Sequence, residues 1–119
     1  MMKKRTAIVG TRTFNDYEKF CQFLKTQEVG DTIVTGDAKG TDAMARLYAA
    51  QTNRNLYTYR ADWRVHGLKA GPLRNQMIVD NADELIAFWD GRSKGTKNSI
   101  SLASQKSIPV HVYFVEASL

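Results

Sequence analysis

The chain has 119 residues and a net charge of +5, with 43% hydrophobic and 24% charged residues. That length supports one core rather than two, and the balance excludes a disordered chain. No apolar run approaches the roughly 18 residues of a membrane-crossing helix, and the apolar part of the basic N-terminus, 7–9, is shorter than the roughly 7–15 residues of a signal-peptide core, so a single cytoplasmic domain over 1–119 is expected.

Residues 5–9 read as a buried strand ending at Gly10. Asn15 with Glu18 has capping-box spacing, and Tyr17, Phe20, Cys21 and Leu24 form one helical face to about residue 27. The lone cysteine thus reads as a core residue, and it excludes an intrachain disulfide. A turn at Gly30 and Asp31 leads into a second strand, 32–35. A helix over 41–53 places Met44, Leu47 and Tyr48 on one side, and 56–59 is a third strand. Residues 61–71 read as a long loop, and Pro72 suits the first turn of a helix reaching about residue 81. A fourth strand, 84–89, is followed by a loop over 90–95, a helix over 96–106 with Ile100 and Ala103 inward, and a last strand over 109–115.

Strands alternating with helices mean a parallel sheet covered on both faces. Right-handed crossovers then favour a Rossmann-like three-layer α/β fold with five strands in the order 3-2-1-4-5. In such a sheet ligands bind beyond the carboxyl ends of the strands, where the order reverses.

Two segments of the form G-x-x-K-G-T fall on that rim: "GDAKGT" at 36–41 and "GRSKGT" at 91–96. The repeat is too short to argue for duplication. In both, glycine lets backbone approach a ligand, a lysine (Lys39 or Lys94) adds a cation, and the next helix offers free N–H groups. Neither is a Walker A or a G-x-G-x-x-G loop, and either alone also reads as a tight turn with a helix cap. A bulky residue at Gly40 is expected to abolish binding without unfolding.

The segment "ADWRVHGLKAGPLRNQM" is long for a connection between strand and helix. Trp63 has two readings, a stacking platform for a base or a lid over the core. Arg74 in a first helical turn opposes the helix dipole; it either meets a phosphate or pairs with Asp62, Asp42 or Asp90. His66 and His111 lack metal-ligand spacing, and no metal site is expected. His111 reads as structural.

The order "IVGTRTF…IVTGDAKGTD…ADW…GPLRNQMI…LIAFWDGRSKGT" resembles the YspA/YpsA-related branch of the SLOG superfamily over nearly the whole chain. That branch shows G-S-R-x-F, G-G-A-x-G-x-D, A-D-W, G-x-x-R-N-x-x-M and A-F-x-x-G…G-T. Here Thr11 replaces the usual Ser, Asp37 replaces the second Gly, and Trp89 and Asp90 stand where small residues or Pro are frequent. The resemblance implies a Rossmann-like fold that holds a nucleotide or a nucleotide derivative, of the NAD or ADP-ribose kind for example. Its relatives include the Lonely Guy phosphoribohydrolases and the DNA-processing protein A, which acts on single-stranded DNA. Arg74 resembles the arginine of the phosphoribohydrolases, and Gly91, Gly95 and Thr96 resemble part of their glycine loop. Their glutamate falls at Asn98 or Ser99, neither of which serves as a general acid or base.

A binding module is the first expectation. Gly10, Thr11, Arg12, Gly36, Lys39, Gly40, Thr41, Gly91, Gly95 and Thr96 line the phosphate and ribose side, Trp63 or Phe14 stacks on the base, and Asp42 accepts a ribose hydroxyl. Asp62, Arg74, Asn75 and Asp90 complete the set. An N-glycosidic hydrolase is the alternative; it needs a carboxylate near the anomeric carbon, which Asp42, Asp62 or Asp90 supplies alongside Arg74. Single-stranded nucleic acid binding is the third expectation, on the basic excess and Trp63. Relatives often form homodimers or higher oligomers through helices; Met77, Ile78 and Phe88 serve such an interface or else the core.

Overall fold

Five short segments rich in β-branched and aromatic residues become strands in the computed structural model, which describes residues 3–116. They are β1 (Arg5–Gly10), β2 (Thr32–Gly36), β3 (Asn55–Tyr59), β4 (Glu84–Trp89) and β5 (Val110–Phe114). All pair in parallel, in the order β3-β2-β1-β4-β5. This is the expected order, and it puts the reversal between β1 and β4.

Period-two alternation divides the apolar residues between two cores. On one face Ile8, Ile33, Ile86 and Phe88 meet α1 (Tyr17–Leu24) and α2 (Thr41–Gln51) through Phe20, Leu24, Met44, Ala45 and Ala49. On the other, Ala7, Val9, Val34, Leu85 and Ala87 meet Ile78 and Val79 of α4 (Ala70–Asp80) and Ala103 of α5 (Lys94–Gln105). Phe20 and Phe88 are fully buried and stack with centroids 4.9 Å apart. Burying each such side chain stabilises the fold by about 1.5–3 kcal/mol. Among the described residues no helix is long and apolar enough to cross a membrane.

Several local expectations change. Asp16, not Asn15, caps α1, its carboxylate accepting from Lys19 N at 3.1 Å, and the helix ends at Leu24. A carboxylate one residue closer to the helix displaces the Asn15–Glu18 box. Residues 61–71 are not an open loop: they hold the short helix α3 (Trp63–His66), capped by Asp62, and a 3₁₀ turn at Gly67–Lys69. Helix α4 therefore starts two residues before Pro72, and Arg74 is its fifth residue, beyond the turn where a cation most opposes the dipole. Leu47 faces outward, half exposed, because α2 packs through Met44, Ala45 and Ala49. Of the three residues named for an oligomer interface, Ile78 and Phe88 are core, and only Met77 is exposed. His111 stands on β5 with Nε2 3.9 Å from buried Glu84, which also takes Thr6 Oγ1 at 2.7 Å and Lys4 at 3.1 Å. That cluster lies at the amino ends of the strands, away from the rim where the order reverses.

Candidate functional site

The first loop leaves β2 at Gly36 and enters α2 through Gly40, whose φ of +74° only glycine adopts readily. A Cβ at Gly40 would lie 2.2 Å from the Arg12 carbonyl oxygen. The glycine therefore lets the loop close against the segment that follows β1. Thr41 completes this junction: its N–H and its hydroxyl both donate to the Thr11 carbonyl, at 3.3 and 3.0 Å. Arg46, one turn further along α2, donates to the carbonyls of Gly36 and Ala38 at 2.7 and 3.2 Å and clamps the loop from behind.

The second loop is built differently. Asp90 accepts from the N–H groups of Arg92 and Ser93, both at 2.8 Å, and its own N–H donates to Thr11 Oγ1 at 3.1 Å. Gly91 takes φ +80° in open space. Ser93 precedes α5, so Lys94, Gly95 and Thr96 are already helical. The slight desolvation of the Asp90 carboxyl is outweighed by the Ser93 and Arg92 N–H groups and the Thr11 hydroxyl, which hold it below the ordinary carboxylate value.

Between the two loops stands Arg74, only 8% exposed. Its Nε donates to Asn75 Oδ1 at 3.0 Å, and one terminal nitrogen lies 2.7 Å from Asp37 Oδ1. Asn75 in turn donates to the Gly95 carbonyl at 3.3 Å and to Asn98 Oδ1 at 3.0 Å, fixing α4 against α5. Asp42 is buried close by. Burial pushes its carboxyl above the ordinary carboxylate range, against the opposing pull of Arg74, the Ala38 N–H, Arg46 and Thr35.

Two neighbouring hollows follow. An inner one of about 150 Å³ lies at the reversal point; Gly10, Arg12, Asp42, Arg74, Asn75, Gly95 and Thr96 border it, with Ala38, Ser93 and Ser99. An outer one of about 300 Å³ lies among Arg12, Asp37, Ala38, Lys39, Trp63 and Arg74. Arg12, Ala38 and Arg74 belong to both. Arg12 is exposed and makes no side-chain hydrogen bond or ion pair among the described residues. Trp63 is 49% exposed, with its ring resting against Gly71. It stands at the rim and does not cover the core.

Several expected residues fall elsewhere. Phe14 is 8% exposed and stacks on Phe88, so its ring belongs to the core and offers no platform to a base. The side chains of Thr11 and Thr41 are buried in the junction just described and border neither hollow. Gly36 and Gly40 shape the first loop without lining a hollow. Gly91 and Lys94 are exposed and also line neither. Asp62 caps α3 with its carboxylate 3.2 Å from Val65 N, and the Asp90 carboxylate is engaged by its own loop. The partner of Arg74 is Asp37, not Asp62, Asp42 or Asp90 as the sequence suggested. Asp37, Ala38, Ser93 and Ser99 were not anticipated as lining residues. The helical spacing of Ser99 four residues after Gly95 was the available signal for one of them.

A larger hollow, about 320 Å³, lies between the connection leading into α1 and the end of β5 and includes Phe14 alone of the expected set. Its charged residues are Asp16, Glu116 and Lys19, a poorer setting for an anion.

The profile of the YAcAr family, described as the YspA, cpYpsA-related SLOG family, matches residues 4–66. The Gene 61 protein of Mycobacterium phage D29 is 34% identical over 117 residues, covering 90% of this chain and 94% of its own. Two solved structures are similar in fold. DNA processing protein A from Streptococcus pneumoniae aligns over 98% of this chain with a TM-score of 0.68 and 21% identity. The protein of that name from Helicobacter pylori, whose structure is described as giving a single-stranded DNA binding mode, aligns over 93% with a TM-score of 0.66 and 22% identity. This chain spans 51% and 65% of those two proteins.

Proposed function

Because the chain belongs to the YspA, cpYpsA-related SLOG family, we propose that its rim cleft binds a nucleotide or a nucleotide derivative. The observation that carries this is that two neighbouring hollows share Arg12 and Arg74, with a half-exposed indole lining the outer one. The outer hollow is at the lower end of the size of ligand pockets. A base stacks on Trp63, and stacking of this kind contributes about 1–3 kcal/mol. Phosphate oxygens meet Arg12, Lys39 and Arg74, each charge-assisted hydrogen bond contributing about 1.5–3 kcal/mol. The inner hollow, with Asp42, Asn75, Thr96 and Ser99, suits a hydroxyl-bearing sugar. Micromolar affinity needs about 8 kcal/mol, a net figure that these contacts have to reach after the cost of association is met.

Asp42 also carries a hydrolytic alternative. Among the described residues it is the one carboxylate bordering the inner hollow, and its raised pKa is of the kind seen in catalytic acids and bases. Single-stranded DNA is a further alternative, favoured by the exposure of Trp63 beside Arg12 and Lys39. The structure from H. pylori supports it by fold alone.

The test is a thermal-shift screen with AMP, ADP, GTP, NAD, ADP-ribose and cyclic ADP-ribose, each mixture then separated by chromatography. A ligand at 100 times its dissociation constant adds about 2.7 kcal/mol. Stabilisation with intact ligand is expected, and Trp63→Ala is expected to shrink the ligand-induced shift, measured from that variant's own melting temperature because the ring also packs against Gly71. Release of a base identifies hydrolysis instead. No response to any nucleotide, with binding to oligothymidylate that falls steeply with salt, overturns the nucleotide reading in favour of DNA.

A further inference from the structure

Among the described residues, Asp37 is the one acidic side chain that borders the outer hollow. Its contact with Arg74 is its only side-chain hydrogen bond among the described residues. The two partners are held unequally. Arg74 is buried and fixed from behind by Asn75, which is itself tied to Gly95 and Asn98. The Asp37 side chain is 34% exposed and lies on a loop whose backbone, not whose side chain, is clamped by Arg46. Arg74 is therefore the rigid member of the pair, and Asp37 the one that can turn away into solvent.

The carboxylate oxygen sits 2.7 Å from a guanidinium nitrogen of Arg74, a residue that borders both hollows. A phosphate oxygen would make the same charge-assisted contact at that place. We infer that Asp37 is a specificity-determining competitor: a ligand anion reaches Arg74 only by displacing the Asp37 carboxylate. This rests on the cleft being a nucleotide site. The exchange favours a terminal phosphate, which brings about −1.5 to −2 charges and three acceptor oxygens against the single charge of the carboxylate. A ligand without an anion at that position does not disturb the pair and is indifferent to Asp37.

Calorimetric titration of AMP and adenosine into the wild-type chain, Asp37→Ala and Asp37→Asn, at fixed ionic strength, tests this. AMP is expected to bind Asp37→Ala about tenfold tighter than wild type and Asp37→Asn tighter by a smaller factor, with adenosine unaltered. Asp37→Asn keeps the side-chain shape and serves if the alanine variant is poorly folded. If wild type binds AMP and both variants bind it equally or more weakly, Asp37 orders Arg74 for the ligand and the competitor role is overturned while the nucleotide site stands. Equal tightening of adenosine also overturns it. AMP binding by a variant but not by wild type supports it, and absence of AMP binding in all three proteins overturns this proposal and counts against the nucleotide site itself.

Discussion

The segments Gly36–Thr41 and Gly91–Thr96 share the pattern G-x-x-K-G-T and the same rim, yet they are not structural repeats. In the first, the second glycine precedes the helix and carries the positive φ; in the second, the first glycine carries it and the second is already inside α5. Gly40 is pressed against the Arg12 backbone, whereas a Cβ on Gly95 would meet nothing within 4 Å. The nearby aspartates differ as well. Asp42 is buried inside a helix and its carboxyl is pushed up; Asp90 gathers backbone N–H groups and its carboxyl is held down. A shared string of residue types thus fixes neither where a helix begins nor which glycine is indispensable. What the segments share is the place they reach, because the second follows β4, which flanks the reversal of the sheet, and the first follows β2, the neighbour of β1 on the other side.

The sharpest way to break the comparison is Gly40→Ala. It combines a strained positive φ with a collision against backbone, and a loss of about 3 kcal/mol or more is expected. Thermal unfolding checks this as a fall in melting temperature of roughly 10 °C or more. It also means that substitution at Gly40 cannot serve as a clean probe of binding, contrary to the expectation from sequence.

The aspartates give a pair of intermediate effects with opposite dependence on pH. The raised carboxyl of Asp42 favours its protonated form in the folded state. Its contribution is therefore greatest below the ordinary value of 3.8 and declines as pH rises towards the raised value. Asp42→Asn is expected to remove that decline. Asp90 has the reverse sign: its contribution is present above 3.8 and is lost as pH falls through the lowered value. Asp90→Ala is expected to cost about 1 kcal/mol at neutral pH, as for loss of a helix cap, and much less in acid. Urea melts of both variants from pH 3 to 8 separate the two.

The smallest effect distinguishes the second glycines directly. Gly95→Ala lies in the first turn of α5 with open space around it, and a gain of about 0.5–1 kcal/mol in stability is expected from chain entropy and helix propensity. A destabilised Gly95→Ala protein would show that the two loops are more alike than their backbones indicate.

Much of the architecture was legible because it rests on local pattern. Near-continuous apolar runs within 5–9 and 84–89 mark strands buried on both faces, and a helix between successive strands favours parallel pairing. Arg12, Lys39 and Trp63 were also identifiable as rim residues from their place just after strands. Phe14 was misread for a reason that sequence conceals: it sits among rim residues, but the chain turns back there and lays the ring on Phe88, 74 positions away.

The sequence by itself indicated the five strands and favoured their order, since periodicity acts through near neighbours along the chain and crossover handedness limits how successive strands can be placed. Only the tertiary structure decided how the charges on the rim are spent. The pairing of Arg74 with Asp37 spans 37 positions, and that of Asn75 with Asn98 spans 23. The same holds for the division of the aspartates into one that caps a helix, Asp62, one that closes its own loop, Asp90, one that pairs, Asp37, and one that is buried, Asp42. Such partnerships depend on which side chains the packed helices bring within about 3 Å of one another, and no spacing along the chain encodes that distance.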